Sequence, residues 1–147
     1  MDEMLKLALS FYGLKEIPGE ENNPKILKFF KEIGQGWVQD DETSWCSSYI
    51  NWCAYKTGME YTGKLDARSW LRVGYGVVDP SLGDVVVYWR DKPNSWKGHV
   101  GLFINKQGSE IYTLGGNQSN MVNISPYPLN RLLGYRRLKK VRNSLIY

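Results

Sequence analysis

Residues 99–115 of the chain read HVGLFINK-QGS-EIYTLG. Apolar side chains alternate along the first part, which predicts a strand with one buried face. That face carries Val100, Leu102 and Ile104. The QGS segment is typical of a three-residue hairpin loop, in which Lys106 faces Glu110. The stretch therefore predicts two antiparallel strands.

Further short runs of this kind follow and precede the hairpin, whereas the first half of the chain has helical spacing. The additional strands are predicted at 84–90, 121–125 and 132–138. Helices are predicted at about 4–12, 24–33, from Thr43 or Ser44 to Gly58, and at 66–73. Helices followed by strands indicate an α+β fold with a five-stranded antiparallel sheet. We expect one domain spanning residues 1–147.

Length and composition exclude several classes of protein. The chain has 147 residues, of which 42% are hydrophobic and 23% charged, so a disordered or collagen-like chain is excluded. Two cysteines are too few for a disulfide scaffold. No apolar run is long enough to span a membrane, and the acidic start Met1–Met4 does not resemble a signal peptide. We therefore expect synthesis in the cytoplasm without a signal peptide, no membrane insertion, and later release.

The positive charge is concentrated at the end of the chain. Residues 131–147 contain six Lys or Arg and no acid, while the whole chain has a net charge of +4. Such a segment favours an anionic polymer such as nucleic acid, a membrane surface or a cell wall, but it is equally typical of a solvated last strand. No nucleic-acid-binding motif accompanies it, so we expect no nucleic-acid partner.

Two cysteines and one histidine are the candidates for chemistry. Cys46 lies in the predicted first turn of the third helix, where the helix dipole favours a reactive thiolate. Cys53 is seven residues further on, about 10 Å along a helix, so the two cannot form a disulfide. Cys53 is interpreted as a small buried hydrophobe.

His99 is the only histidine in the chain. In the predicted hairpin it faces Asn117, close enough for Asn117 to orient the imidazole; a slip by one residue would place Gly116 there instead. Gly101 lies on the same face as His99 and leaves room for a helix end carrying Cys46. Cys, His and Asn in this arrangement are typical of nucleophilic acyl transfer.

With these residues in place, the chain resembles the CHAP-like, NlpC-type cell-wall hydrolases. The motifs that carry the resemblance are DETSWCSSY at 41–49, GHVG at 98–101 and LGGNQ at 114–118. Supporting segments are EIPG at 16–19, NP at 23–24, ARSWL at 67–71, GDVV at 83–86 and GYRR at 134–137. Together they span residues 5–138.

The resemblance implies a papain-like fold and hydrolysis of amide bonds in peptidoglycan. It implies that Cys46 is the nucleophile, His99 the general base and then acid, and Asn117 the orienting residue. Relatives of the CHAP type often carry a Glu shortly before this Asn, and here Gly115 and Gly116 occupy that region.

Other residues are candidates for substrate contact, the oxyanion hole and metal binding. Trp96, Trp45 and Gln118 are candidates to line a substrate groove. The oxyanion hole uses the Cys46 N–H and a second donor, for which the candidates are Gln35, Gln39 and Gln118. Asp40, Asp41 and Glu42 resemble Ca²⁺ ligands of some CHAP domains but lack the alternation of a calcium loop, so we expect no metal and no cofactor.

The leading hypothesis is therefore an N-acetylmuramoyl-L-alanine amidase or a stem or cross-bridge endopeptidase, acting on the cell wall. An endolysin released by a holin, a secreted toxin with an immunity protein, and a virion-associated lysin fit equally, and a monomer is expected. Alternatives are a non-catalytic wall-binding or phage structural module of the same fold, and a glycosidase using Glu16 and Asp84.

Overall fold

A computed structural model of the protein describes residues 2–18, 21–39 and 44–145. Its α-helices are α1 (Glu3–Leu9), α2 (Pro24–Glu32) and α3 (Cys46–Lys56), and a 3₁₀ helix follows at Ala67–Arg72. The strands are β1 (Tyr75–Val77), β2 (Val85–Trp89), β3 (Gly98–Gln107), β4 (Glu110–Gln118), β5 (Met121–Pro128) and β6 (Leu132–Arg137). A 3₁₀ turn, Leu129–Arg131, connects β5 to β6.

The first two helices begin at polar caps. Asp2 accepts a hydrogen bond from the Leu5 N–H at 2.6 Å at the start of α1. Asn23 accepts one from the Lys25 N–H at 2.9 Å, and Pro24 takes the first position of α2, as the sequence predicts. None of the helices in the described residues is long and apolar enough to cross a bilayer.

The start of α3 differs from the prediction. Trp45 occupies the cap position and makes no side-chain cap hydrogen bond. Thr43, one of the two predicted caps, lies outside the described residues. The other, Ser44, hydrogen-bonds the Cys46 thiol instead of capping the helix. No side-chain cap therefore occupies the backbone N–H groups in the first turn of α3, where Cys46 lies.

The strands form one antiparallel sheet in the order β1-β6-β2-β3-β4-β5. The predicted α+β fold is confirmed, with six strands in place of five. The additional strand, β1, is three residues long, and Tyr75 and Gly76 are exposed. A strand this short shows no alternation in sequence, so periodicity cannot reveal it.

The hairpin of β3 and β4 departs from the predicted register only in the pairs beside its loop. Gln107 pairs with Glu110, so the loop is Gly108-Ser109, with Gly108 at a φ of 60°. The predicted pairing of Lys106 with Glu110 is wrong, because a two-residue loop with a left-handed glycine closes the hairpin. A bulge within β3 then restores the predicted register, in which Phe103 pairs with Thr113 and Leu102 with Leu114.

The two faces of the sheet carry separate apolar clusters. The helices cover one face, where the sheet contributes Val85, Val87, Val100, Leu102, Leu114 and Val122. The other face carries Val86, Tyr88, Phe103, Ile111 and Tyr135. The rings of Tyr88 in β2 and Tyr127 in β5 lie 4.6 Å apart, although two strands separate β2 from β5 in the sheet. The sheet therefore curls strongly about this second face.

Candidate active site

Cys46 is the first residue of α3, and its side chain is 3% exposed. The helix packs against β3 and β4, which brings this thiol to the strands that carry the other candidate residues. A thiol at the first turn of a helix meets the positive end of the helix dipole. The structure thus gives Cys46 the environment that the sequence predicts.

The surroundings of the thiol favour its ionised form. Burial by itself raises the pKa of Cys46, but hydrogen bonds and charge from His99 act in the opposite direction. The Val100 N–H and the Ser44 hydroxyl also hydrogen-bond the sulfur, and the net result is a pKa below the ordinary thiol value. A lowered thiol pKa beside an imidazole is the condition for a nucleophilic thiolate.

The imidazole of His99 is held by Gln118. His99 Nε2 lies 2.8 Å from Gln118 Oε1, and the two side chains are only 4% exposed. The predicted hydrogen bond from Asn117 to this ring is absent, and that part of the prediction is wrong. The pairing of β4 with β5 is irregular between Gly115 and Gln118, which places Asn117 at a φ of 57° and lets Gln118 reach the ring instead.

The orientation of the Gln118 amide is set by its other partners. Its Nε2 donates to the Asn123 carbonyl and Oδ1, each at 2.8 Å, and to the Thr113 carbonyl at 3.2 Å. The NH₂ group is therefore occupied, and Oε1 faces His99 as an acceptor. His99 Nε2 must then carry the proton, which leaves Nδ1 for the thiol of Cys46.

Two consecutive glycines in β4 leave the space that the site needs. A Cβ at Gly116 would lie 2.6 Å from the Trp45 ring, and one at Gly115 would lie 2.4 Å from Gln118 Oε1. We predicted that Gly101 makes room for the end of the helix, and this is wrong. A Cβ on Gly101 would instead meet Thr113 of the neighbouring strand at 2.4 Å.

Asn117 contacts Ser44, the residue whose hydroxyl hydrogen-bonds the Cys46 thiol. Its Nδ2 donates to Ser44 Oγ at 3.3 Å, and the Ser44 hydroxyl in turn hydrogen-bonds Cys46. Asn117 thus reaches the site through Ser44, and not through the imidazole. The sequence placed it near the reacting groups but on the wrong partner.

Two of the three predicted substrate residues are buried. Trp45 is 0% exposed, and its Nε1 donates to Glu16 at 2.9 Å, so the ring belongs to the core. Gln118 is occupied by His99 and the backbone. Both side chains therefore have partners within the protein in place of the predicted groove contacts.

Trp96 does present surface, since its side chain is 73% exposed. It lies in the loop before β3, three residues ahead of His99. Arg68, from the 3₁₀ helix, holds this loop by three hydrogen bonds of 2.8–2.9 Å, to the carbonyls of Lys92, Pro93 and Lys97. Arg68 thus fixes the loop that leads into the strand carrying His99, and this loop exposes an aromatic ring.

Two of the three glutamines that are candidates for a second oxyanion donor already make hydrogen bonds within the protein. Gln118 is committed to His99, and Gln35 donates to the Gly63 carbonyl at 2.9 Å while accepting from Trp37. Gln39 is exposed at the edge of the described residues.

The acidic residues that are candidates for Ca²⁺ binding, at 40–42, lie outside the described residues. Within 2–18, 21–39 and 44–145, no three His, Cys, Asp or Glu cluster as metal ligands would.

Several other sequence candidates are used in packing. Cys53 is fully buried, and burial raises the pKa of its thiol, as expected of a structural cysteine. Asp84 forms an ion pair with Arg137 at 2.8 Å, and Glu16 accepts from Trp45, so both carboxylates proposed for a glycosidase have structural partners.

Much of the basic C-terminal segment is engaged within the protein. Arg136 donates to the carbonyls of Val73 and Gly74, and Arg137 is paired with Asp84. The Arg131 guanidinium lies 5.0 Å from the centre of the Trp89 ring. These three arginines attach β6 and its preceding turn to the fold, so the segment is not simply a cationic tail.

Sequence reasoning did not assign three side chains that contact the site. The sequence predicts Gln118 as a groove residue and Ser44 as a helix cap. It assigns no role to Tyr127, whose ring centre lies 4.9 Å from that of the His99 ring. Tyr127 stands between Pro126 and Pro128, and this unusual Pro-Tyr-Pro pattern is the signal that could have indicated a fixed aromatic ring.

Comparison with known proteins identifies a matching family and a solved structure of similar fold. A family model described as the CHAP domain matches residues 38–117. One similar solved structure is a lipoprotein-like protein of the NLP/P60 family from Staphylococcus aureus subsp. aureus Mu50, with 17% identity and a TM-score of 0.50. The match covers 96% of this chain but 41% of that protein, so the chain spans less than half of its length. The curated proteins contain no match to the sequence.

The structural likeness supports the predicted papain-like arrangement of helices on an antiparallel sheet. The matched segment covers more than half of the chain and includes Cys46, His99 and Asn117. The chain therefore belongs to the CHAP domain family, a family of the peptidoglycan-hydrolase type.

Proposed function

We propose that this protein is a cysteine amidase or endopeptidase that hydrolyses an amide bond of peptidoglycan. The observation that carries the proposal is the buried Cys46 thiol with a lowered pKa, hydrogen-bonded to His99, whose other nitrogen is held by Gln118 at 2.8 Å. A wall-binding module would have no use for an ionised thiol next to an oriented imidazole.

The proposed reaction is a two-step acyl transfer. His99 takes the thiol proton, and the Cys46 thiolate attacks the amide carbonyl while the Cys46 N–H stabilises the oxyanion. The imidazolium then gives its proton to the leaving amine, which leaves a thioester. His99 next removes a proton from water, the hydroxide displaces the thiolate, and the carboxylic acid is released. Gln118 accepts from Nε2 throughout, and no cofactor is required.

The direct test is digestion of purified sacculi followed by mass spectrometry of the products. Free stem peptides identify an amidase, whereas cut stems or bridges still attached to glycan identify an endopeptidase. Binding to walls of several chemotypes without any cleavage would contradict the proposal and favour the wall-binding or structural module. We propose a monomer acting on the wall as an endolysin or antibacterial lysin, and product release from intact cells with and without a holin tests that setting.

Cys46 is expected to alkylate at lower pH than Cys53. Its pKa is lowered whereas burial raises that of Cys53, so the reactive thiolate of Cys46 persists at pH values where Cys53 is still protonated. Hydrolysis and alkylation should both decrease as the pH falls through the pKa of Cys46, because the thiolate is then lost. Iodoacetamide labelling as a function of pH, with the labelled peptide identified by mass spectrometry, measures this. Equal labelling of the two cysteines would contradict it.

We propose that Trp96 binds the wall polymer. Replacing it with alanine should raise KM for sacculi about three- to tenfold, the cost of one aromatic contact, with kcat unchanged. Trp96→Phe, which keeps a ring in the Arg68-braced loop, is the matched control and should restore most of the binding. A fall in kcat at constant KM would place Trp96 in the positioning of His99 instead.

A further inference from the structure

The imidazole of His99 lies in a stack of three nearly parallel rings. The centre of the Tyr127 ring is 4.9 Å from that of His99, with an angle of 18° between the planes. Tyr88 lies 4.6 Å from Tyr127 at the same angle, and 6.5 Å from His99. Tyr127 is thus in direct face contact with the imidazole.

This contact is not an ordinary cross-strand neighbour. His99 is in β3 and pairs with Tyr88 of β2, whereas Tyr127 is in β5, on the far side of β4. Only the curl of the sheet brings β5 back over β3. Pro126 and Pro128 on either side of Tyr127 restrict the backbone of this edge strand, so the ring is presented in one direction.

The ring contact with Tyr127 restricts a motion of the imidazole that the hydrogen bond to Gln118 leaves free. The bond to Gln118 fixes His99 Nε2, but it leaves the ring free to tilt about the line that joins Nε2 to Oε1. Face contact with Tyr127 removes that tilt and keeps Nδ1 in the direction of Cys46. Two independent contacts, one at an edge and one on a face, therefore define the plane of the imidazole.

The stack also acts through charge. The face of an aromatic ring attracts a cation within about 6 Å of its centre, so the Tyr127 ring can stabilise the positive charge that His99 carries once it has taken the thiol proton. Burial raises the pKa of the Tyr127 hydroxyl, and the nearby Cys46 thiolate raises it further, so the phenol stays neutral at physiological pH. The titratable and charged side chains that face the imidazole or this ring are Cys46 from α3, Tyr88 from β2 and Arg90 after β2.

We propose that Tyr127 is a positioning residue, whose ring holds the His99 imidazole in plane and stabilises the thiolate–imidazolium pair. The inference rests on the proposed function of the same site. It assigns the effect to the ring and not to the hydroxyl.

The test is the pH dependence of the alkylation rate of Cys46 in the full-length protein. In Tyr127→Leu the acid limb of the profile should move to higher pH by about half a unit to one unit, because the ring no longer supports the imidazolium. Iodoacetamide labelling on that limb should slow about three- to tenfold. Tyr127→Phe should keep the wild-type profile. A profile unchanged in Tyr127→Leu, or shifted equally in Tyr127→Phe, would overturn the proposal.

Tyr135→Leu is the matched control for lost packing. Tyr135 belongs to the same apolar face and packs edge-on against Phe103 at 5.8 Å, so its loss should lower the thermal stability without moving the alkylation profile. Thermal unfolding of each variant shows that it is folded at the assay temperature. Since alkylation needs no peptidoglycan, a shift in Tyr127→Leu stands even if no wall is cleaved, and failure of either idea is seen separately.

Discussion

Replacing Cys46 with alanine is expected to abolish peptidoglycan cleavage, with a loss of activity on the order of 10⁴- to 10⁶-fold. The variant removes the only atom in the proposed site that can form the thioester, and His99 and Gln118 then orient a base with no nucleophile. The change removes one buried sulfur, so the fold should persist. Release of soluble fragments from sacculi, followed by mass spectrometry, measures the loss.

Cys53→Ala is the matched control for this experiment. It also removes a buried sulfur from α3, but one whose thiol pKa is raised by burial and which has no part in the proposed reaction. We expect wild-type turnover and only a modest fall in stability, of about 1 kcal/mol. Retention of full activity in Cys46→Ala would show that the proposed mechanism is wrong.

Replacing Gln118 with methionine is expected to lower kcat about 10²- to 10⁴-fold with little change in KM. Methionine has a similar length but no strong acceptor for His99 Nε2–H, so neither the tautomer nor the ring direction is maintained. The effect should fall on kcat, because the buried Gln118 does not touch the substrate. Turnover of a soluble peptidoglycan fragment gives kcat and KM separately, and thermal unfolding gives the cost of leaving the Thr113 and Asn123 carbonyls unpaired.

Asn117→Gly separates the observed geometry from the hydrogen bond between Asn117 and His99 that the sequence predicts. Glycine accepts the positive φ at this position and removes only the bond to Ser44. We expect at most about a tenfold loss, since one exposed hydrogen bond contributes about 1 kcal/mol. If Asn117→Gly were as damaging as the methionine variant at 118, the imidazole would depend on Asn117 after all.

The parts of the fold that follow from local chemistry could be predicted from the sequence. Asn23-Pro24 marks the start of α2, and the alternation at Val100, Leu102 and Ile104 marks β3. Cys46 and His99 could be identified because their residue types and neighbours restrict their roles. These features depend on a few adjacent residues, and the sequence contains all of that information.

The orienting residue could not be predicted in this way. Its identity depends on where β3 and β4 depart from regular pairing, and each bulge moves the register by one residue. The two-residue loop and the bulge in β3 cancel, so that Leu102 meets its predicted partner Leu114, and the irregularity beside Gly115 is what brings Gln118 instead of Asn117 to His99. Nothing in the alternation of HVGLFINK records these shifts.

The role of the glycines depends on tertiary packing in the same way. Gly101 is two residues after His99 in the sequence, but its open side faces Thr113. The large ring of Trp45 reaches Gly116, which is 71 positions away along the chain. Which glycine makes room for which side chain is decided by the docking of α3 on the sheet, and periodicity contains no information about that docking.

The return of β5 over β3 also bears on when the proposed site becomes complete during synthesis. A nascent chain that has emerged as far as β3 already carries Cys46 and His99, but Gln118 and Tyr127 arrive later, and contacts between distant strands form late in folding. Until β5 docks, the imidazole lacks its face partner Tyr127, and Gln118 lacks Asn123, the β5 residue that holds its amide. The pair of Cys46 and His99 would thus have its full set of contacts only after the last strands dock.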